Sequence, residues 1–478
     1  MLRVALPGDI ISLDTVQTND NQTLVAIAAM SNHLVRPVPL GPELAKSFTR
    51  VKSDLWRFEL QPNVKFHNGE DFTADAITFT LGRYLDPAEN SPNVTFLAGN
   101  IKDMNVIDPL TIEITTKTPV FSFAADMTDL LPQPPKYFQQ VGKQGFVQKP
   151  VGTGPYIFGS WTKGQSLQAT RNDSWWKGKP VFDQLMIRPI TDENTRVSAL
   201  LANEVDLAST IPFNRLKDVL NSPQHQVLRL DNERAIYCGM DTLNPPFDDP
   251  RVRQAMNYAV NWDALITGIF DGGVVRTTGG FSPAMLGDDP SIQPYPYDLD
   301  KAKALMKDAG HEAGFDSFIV VAPGLEGAAN LEDVSQAMVA DWAKIGVKVR
   351  IDLTDSAGFN DRYRGTGKPG GGAIKGGMYY FTFGGLQPGG RHLSPLFKSD
   401  TRGYYYQNPA VDKLVNAYLA SDGDDQLKQN GHALKQTLKD DAPWVFMYNQ
   451  PLLFGASKSL NWKPNSGFYI PFGELTSA

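Results

Sequence analysis

The stretch from Ser317 to Leu353 most constrains the fold. It reads "SFIVVAP", then "LEDVSQAMVADWAKIG", then "VKVRIDL". The outer pieces are short, apolar and rich in β-branched residues, and the middle piece has apolar residues at helical spacing. Strand, helix and strand in that order make a βαβ unit, with parallel strands and a right-handed crossover. Val347, Val349, Ile351 and Leu353 alternate, so one face of the second strand is expected to pack on the helix.

The rest of the chain keeps this style. "RVALPGDIISLD" reads as a strand entering a loop, and "NDNQTLVAIAAMSNHLV" as a helix that includes His33. "LWRFELQPNVKFHNGEDFTADAITFTLGRYLD" reads as strand, turn and helix, with Thr73 as cap and Phe72 and Ile77 as a hydrophobic staple. "VGTGPYIFGSW" has turn chemistry leading into a strand. "DDPRVRQAMNYAV" is a helix capped by Asp249 with Pro250 at its first position. "YDLDKAKALMKDAG" is a helix closed by Gly310, and "NPAVDKLVNAYLAS" one begun by Asn408 and Pro409. "APWVFMYNQPLLFG" is a late pair of strands. The expectation is an α/β protein with mixed sheets, and a length of 478 residues predicts two or three domains.

Charge and composition exclude several classes. A net charge of -7 argues against a nucleic-acid partner, which needs a basic face. Cys238 is the single cysteine, so neither a disulfide framework nor a cysteine zinc cluster is possible. No apolar run reaches the length of a membrane span. "MLRVALPGDI" enters a strand at once, so a leader is expected to have been removed, with Met1 in its place.

Catalytic signatures are sparse. "HEAGF" at His311 lacks the second histidine of a zinc-protease motif, and no nucleophile elbow or P-loop is present. Gly365, Gly367 and Gly370 match a dinucleotide fingerprint, but no apolar strand precedes them and "PGGGAIKGG" cannot open a helix; a loop is expected. His33 is expected to be a packed histidine, Asp248 and Asp249 helix caps, and Trp175 and Trp176 turn anchors. Cys238 is expected to be a buried small hydrophobe.

The unusual stretch is "MYYFTFGGLQPGGRH", Met378 to His392, in which four aromatics break into four glycines, a proline, Arg391 and His392. Aromatics at this density want burial or a flat partner, and glycines let a backbone approach something closely. A long α/β chain with aromatic–glycine loops and no reactive constellation reads as a binder.

The ordered segments resemble a known family. "LWRFELQPNVKFHNGEDFTADAITFTLGR", "PVGTGPYIF", "NDSWWKGKPVFDQLMIRPITDENTRVSALLANEVDLA", "PPFDDPRVRQAMNYAVNWDALI" and "MVADWAKIGVKVRI" are similar, in order, to the periplasmic solute-binding proteins of ABC importers, in the peptide/opine/nickel-binding class. The resemblance implies a two-lobed Venus-flytrap fold. Lobe one is expected at 1–234 plus 452–478, with an extra subdomain at about 39–160, and lobe two at 235–451. It further implies that a solute is captured between the lobes by hinge closure and delivered to a permease with ATPase subunits. A periplasmic monomer without cofactor is expected. The residues expected at the solute are Ser12 and Asp14 after the first strand, Tyr237 and Cys238, Arg362, Phe383, Gly384, Gly385, Leu386, Arg391 and His392.

In peptide-binding members the counterpart of "YFTFGGLQPGG" carries an aspartate for the peptide's ammonium. Gly385 stands at that place here, and no Asp or Glu lies between Asp361 and Asp400. An ammonium buried without a carboxylate costs several kcal/mol, roughly. Bare backbone at Gly384 and Gly385, a ring such as Phe383, and Arg391 or Arg362 suit a sugar-containing, opine-like or anionic solute as well as a short peptide. His392 keeps a nickel chelate open as ligand. The alternative class is a hydrolase of glycosides or peptides, which needs paired carboxylates or a nucleophile with its base.

Overall fold

The computed structural model describes residues 1–37, 40–230, 234–283, 285–322, 330–365, 371–383, 393–399, 405–464 and 469–477. The chain divides into two compact units, Met1–Leu230 with Leu452–Ala478, and Asp231–Pro451.

The first unit is built on a mixed sheet. Among the described residues its strand order is His225–Leu230, Leu452–Ser457, Leu207–Ala208, Leu2–Leu6, Gln184–Pro189, Ser166–Arg171 and Tyr156–Thr162. Leu2–Leu6 runs parallel to both of its neighbours. Central and paired on both edges, it buries Leu2, Val4, Ala5 and Leu6, which is why it reads as an almost unbroken apolar run. The "VGTG" turn is a close backbone approach. Gly154 N–H donates to the Met30 carbonyl (2.9 Å), and a Cβ on Gly152 or Gly154 would strike the Met30 backbone.

A second, four-stranded antiparallel sheet in this unit runs Ala45–Lys52, Leu55–Leu60, Thr111–Thr116, Ile101–Asp108. Its alternating positions Trp56, Phe58, Ile112 and Ile114 share one core with Phe72, Ile77 and Leu81 at the helix Ala74–Leu85. Phe72 and Ile77 are thus buried together, while the Thr73 side chain makes no cap hydrogen bond. The helix near His33 is shorter than its pattern predicts. It spans Asn21–Ala28, because the next carbonyls, of Ala29 and Met30, accept from Tyr156 and Gly154 instead of continuing the helix. His33 is buried outside it, with Nδ1 at the Thr128 carbonyl.

The second unit holds a sheet ordered Val275–Arg276, Trp444–Asn449, Ala235–Met240, Met378–Phe383, Phe315–Val321, Val347–Leu353. Phe315–Val321 and Val347–Leu353 pair in parallel, joined through the helix Leu331–Ala343, as the βαβ pattern requires. Val347 and Val349 are buried, but Leu353 is 57% exposed, so the alternation outlasts the packed face by one step. Asp249 caps Pro250–Tyr258 and Asn408 caps Pro409–Leu419, each through its side-chain oxygen. The late pair of strands, Trp444–Asn449 and Leu452–Ser457, lies in two different sheets, one in each unit.

Candidate functional site

The strand Met378–Phe383 sends alternate side chains to opposite faces. Tyr380 goes inward. It is fully buried, and its hydroxyl lies 3.3 Å from Met338 Sδ and 3.2 Å from Ser335 Oγ on the crossover helix. Tyr379 and Phe381 take the other face and enter an aromatic cluster with Phe359, Tyr363 and Tyr405. Phe359 and Tyr363, four residues apart on the helix Ser356–Arg364, stack at 5.8 Å and 10°. Tyr363 lies 5.1 Å from Phe381 and 5.0 Å from Tyr379. The tyrosines and Phe359 are buried, whereas Phe381 and Phe318 are half-buried and form the cluster's outer edge.

Tyr237 extends the cluster from the neighbouring strand. Its ring stacks on Trp444 at 3.5 Å and 2°, and lies 6.0 Å from Phe381. Two places along, Gly239 faces Tyr379, whose ring fills the space a Cβ would need. This glycine therefore serves a ring of the protein itself. Burial pushes the Tyr237 and Tyr379 hydroxyls well above the usual tyrosine range.

Charge enters at the cluster's edge. Arg362 donates through Nη2 to Asp352 (3.0 Å), and Arg350 donates through Nε to the other oxygen of the same carboxylate (2.6 Å). Hydrogen bonding to Arg350, then to Arg362, holds the Asp352 carboxyl below its usual range. Both guanidiniums also lie over the Phe318 ring, at 5.7 and 5.6 Å. Two cations share one carboxylate, which leaves one positive charge in excess beside the half-buried Phe318 ring.

Three expected site residues are buried. Asp14 is fully buried, and its oxygens accept from Arg83 Nη2 (2.8 Å) and Nη1 (3.1 Å), Gln133 Nε2 (2.8 Å) and Val16 N–H (3.1 Å). A carboxylate so engaged is closed to solvent in this structure. Cys238 is also fully buried, on the face that carries Tyr380, and burial raises its thiol pKa. Tyr237 is 1% exposed, so it supports Phe381 from behind rather than forming surface. Ser12 is half-buried, and its hydroxyl oxygen accepts from Asp14 N–H (3.1 Å). Arg362 stands as described above. Phe383 is described through its backbone, paired with Ala235, and Gly384, Gly385, Leu386, Arg391 and His392 lie outside the described residues. Phe359, Tyr405 and Trp444 were not expected; the four-residue spacing from Phe359 to Tyr363 is a local signal for the first, and none points to the other two. Among the described residues no group of His, Cys, Asp and Glu gathers as a metal site.

Residues 39–378 match the family described as bacterial extracellular solute-binding proteins, family 5 (middle). The chain belongs to this family. This family-5 protein is a solute-binding receptor of an ABC importer, with the fold of the two-lobed periplasmic binding proteins. It is 31% identical to the glutathione-binding protein GsiB of Pectobacterium atrosepticum, over 98% of this chain and 91% of that protein. In solved structures the family-5 protein is similar to the ABC transporter substrate-binding protein CtaP of Listeria monocytogenes, with TM-score 0.89 and 21% identity over 100% of this chain and 99% of that one. It is also similar to DppA of Helicobacter pylori in complex with the peptide STSA, with TM-score 0.81 and 23% identity over 100% and 98% of the two chains. No helix among the described residues is long and apolar enough to cross a membrane.

Proposed function

We propose that this chain captures a short peptide or peptide derivative with free carboxylates, outside the cytoplasm, and delivers it to an ABC permease driven by ATPase subunits. It works as a monomer and releases its solute unchanged. Its lobes are residues 1–234 with 452–478, and 235–451. The observation that carries the reading is the edge of the aromatic cluster, where half-buried Phe318 lies beneath Arg362 and Arg350 and half-buried Phe381 packs on the same cluster. Flat ring faces suit peptide planes and apolar side chains, and a guanidinium suits a carboxylate. The glutathione-binding relative supports the same solute class.

A second reading, an opine-like or sugar-containing solute, is favoured by one feature. No acidic residue lies between Asp361 and Asp400 to hold a solute ammonium.

The test is native mass spectrometry of the purified protein, followed by titration calorimetry with glutathione, dipeptides and an opine. Stoichiometric binding of glutathione or a dipeptide is expected. Binding of the opine alone would move the assignment to the second reading, and turnover of the bound compound would defeat a receptor. Phe381→Ala is expected to weaken binding about tenfold, from losing roughly 1–1.5 kcal/mol of ring contact, with an unchanged circular dichroism spectrum.

A further inference from the structure

The second unit holds a pocket of about 260 Å³ lined by the strand Val275–Arg276 and the residues that follow it, and by Lys435. None of its lining residues belongs to the aromatic cluster. Its wall is largely apolar, made by Phe281, Pro283, Pro290, Ile292 and Pro294. Two cations and one carboxylate line it. Lys435 is buried and donates to Asp288 Oδ1 (2.7 Å) and to the Asp289 carbonyl (2.7 Å), so that cation is matched. Arg276 is not. Its Nη1 donates to the Tyr295 carbonyl (3.1 Å), and its guanidinium lies 5.4 Å from the Trp262 ring, but no carboxylate pairs with it among the described residues and its Nε has no partner. Burial lowers its pKa to about 10, with the Asp263 charge opposing. Thr278, also at the wall, is buried with no hydrogen-bond partner for its hydroxyl.

Charges withdrawn from water are ordinarily paired, because desolvation costs several kcal/mol per ion. A guanidinium with carbonyl and ring contacts, an unpartnered Nε and no carboxylate in ion-pair contact among the described residues, at the wall of a cavity with room for a few heavy atoms, has a place for an anion. The apolar wall opposite selects what that anion carries. We propose that this pocket binds a small organic carboxylate, its charge on Arg276 and its apolar body against Phe281 and the three prolines. The site is distinct from the one proposed for the transported solute.

Thermal unfolding in isobutyrate, in its neutral isostere isobutyramide and in inorganic phosphate, at matched ionic strength, tests this. A concentration-dependent rise in Tm with isobutyrate is expected, with none from isobutyramide and a smaller one from phosphate. In Arg276→Gln the isobutyrate response is expected to vanish. An equal response to isobutyramide, an undiminished response in Arg276→Gln, or no response at all would overturn the proposal. A phosphate response matching that of isobutyrate would remove the apolar selectivity. Should Arg276→Gln not fold, wild-type crystals soaked in 3-bromopropionate decide the matter. Anomalous bromine density in the pocket supports the site, and its absence there refutes it.

Discussion

Asp14 shows how far one residue's role depends on partners the sequence does not reveal. It follows the first strand, where a binder's loop is expected, yet its carboxylate is closed off by Arg83 and Gln133, 69 and 119 residues away. Arg83 in turn donates to Glu89 (2.8 Å) and lies over the Phe138 ring at 4.0 Å. Removing Asp14 leaves the buried Arg83 guanidinium to Glu89, which Lys143 also shares, so Asp14→Ala is expected to cost about 3 kcal/mol, the low end for a broken buried pair. Urea unfolding measures this. A variant with wild-type stability and weakened solute binding would give Asp14 a role at the solute instead. Cys238 teaches the same point on a smaller scale. Its chemistry read correctly as a buried hydrophobe, and strand alternation could not say which face was interior.

Elements with a local signal are legible. Asp249 with Pro250, and Asn408 with Pro409, open helices where expected, because a cap and a first-position proline act within a few residues. The βαβ unit is legible for the same reason: its periodicities switch within one stretch. Where a distant segment competes for backbone groups, the pattern misleads, as when the 154–156 segment takes the carbonyls beyond Ala28. The aromatic strand lies between these cases. Its alternation was legible, but its cluster joins residues from 237 to 444, which no local pattern connects. At this scale Gly239→Ala is informative. The new Cβ meets the Tyr379 ring, so a loss of about 1–3 kcal/mol is expected, together with weaker solute binding as Phe381's support shifts. Stability and affinity both at wild-type values would show that the two strands have room to separate.

For the whole molecule, acid stability follows from two histidines. His67, against the Gly154 carbonyl (3.0 Å), and His225, beside Ser222 Oγ (2.8 Å), both have pKa values lowered chiefly by burial. Each therefore binds a proton more readily in the unfolded chain. Their contribution is complete above the unfolded pKa of about 6.5 and is lost as pH falls below it. The urea midpoint is expected to drop between pH 7.5 and pH 5, and to drop less in His67→Gln and His225→Gln. An equal drop in both variants would place the acid sensitivity elsewhere. Family membership was legible at this scale because it rests on the order of many segments along the chain. The solute was not, because those segments build the scaffold.

The register where the chain passes from one unit to the other and back has one more consequence. Leu230 sits opposite Leu452 in the sheet of the first unit, and Ala235 opposite Asn449 in that of the second. Antiparallel neighbours so placed are separated by no more than a tight turn. In genetic terms the second unit is expected to behave as a cassette. Lifting out its coding segment and rejoining the cut ends of the first unit by a two-residue Asn-Gly hairpin is expected to leave the first unit's sheet in register, while the excised cassette starts and ends on strands already paired to each other.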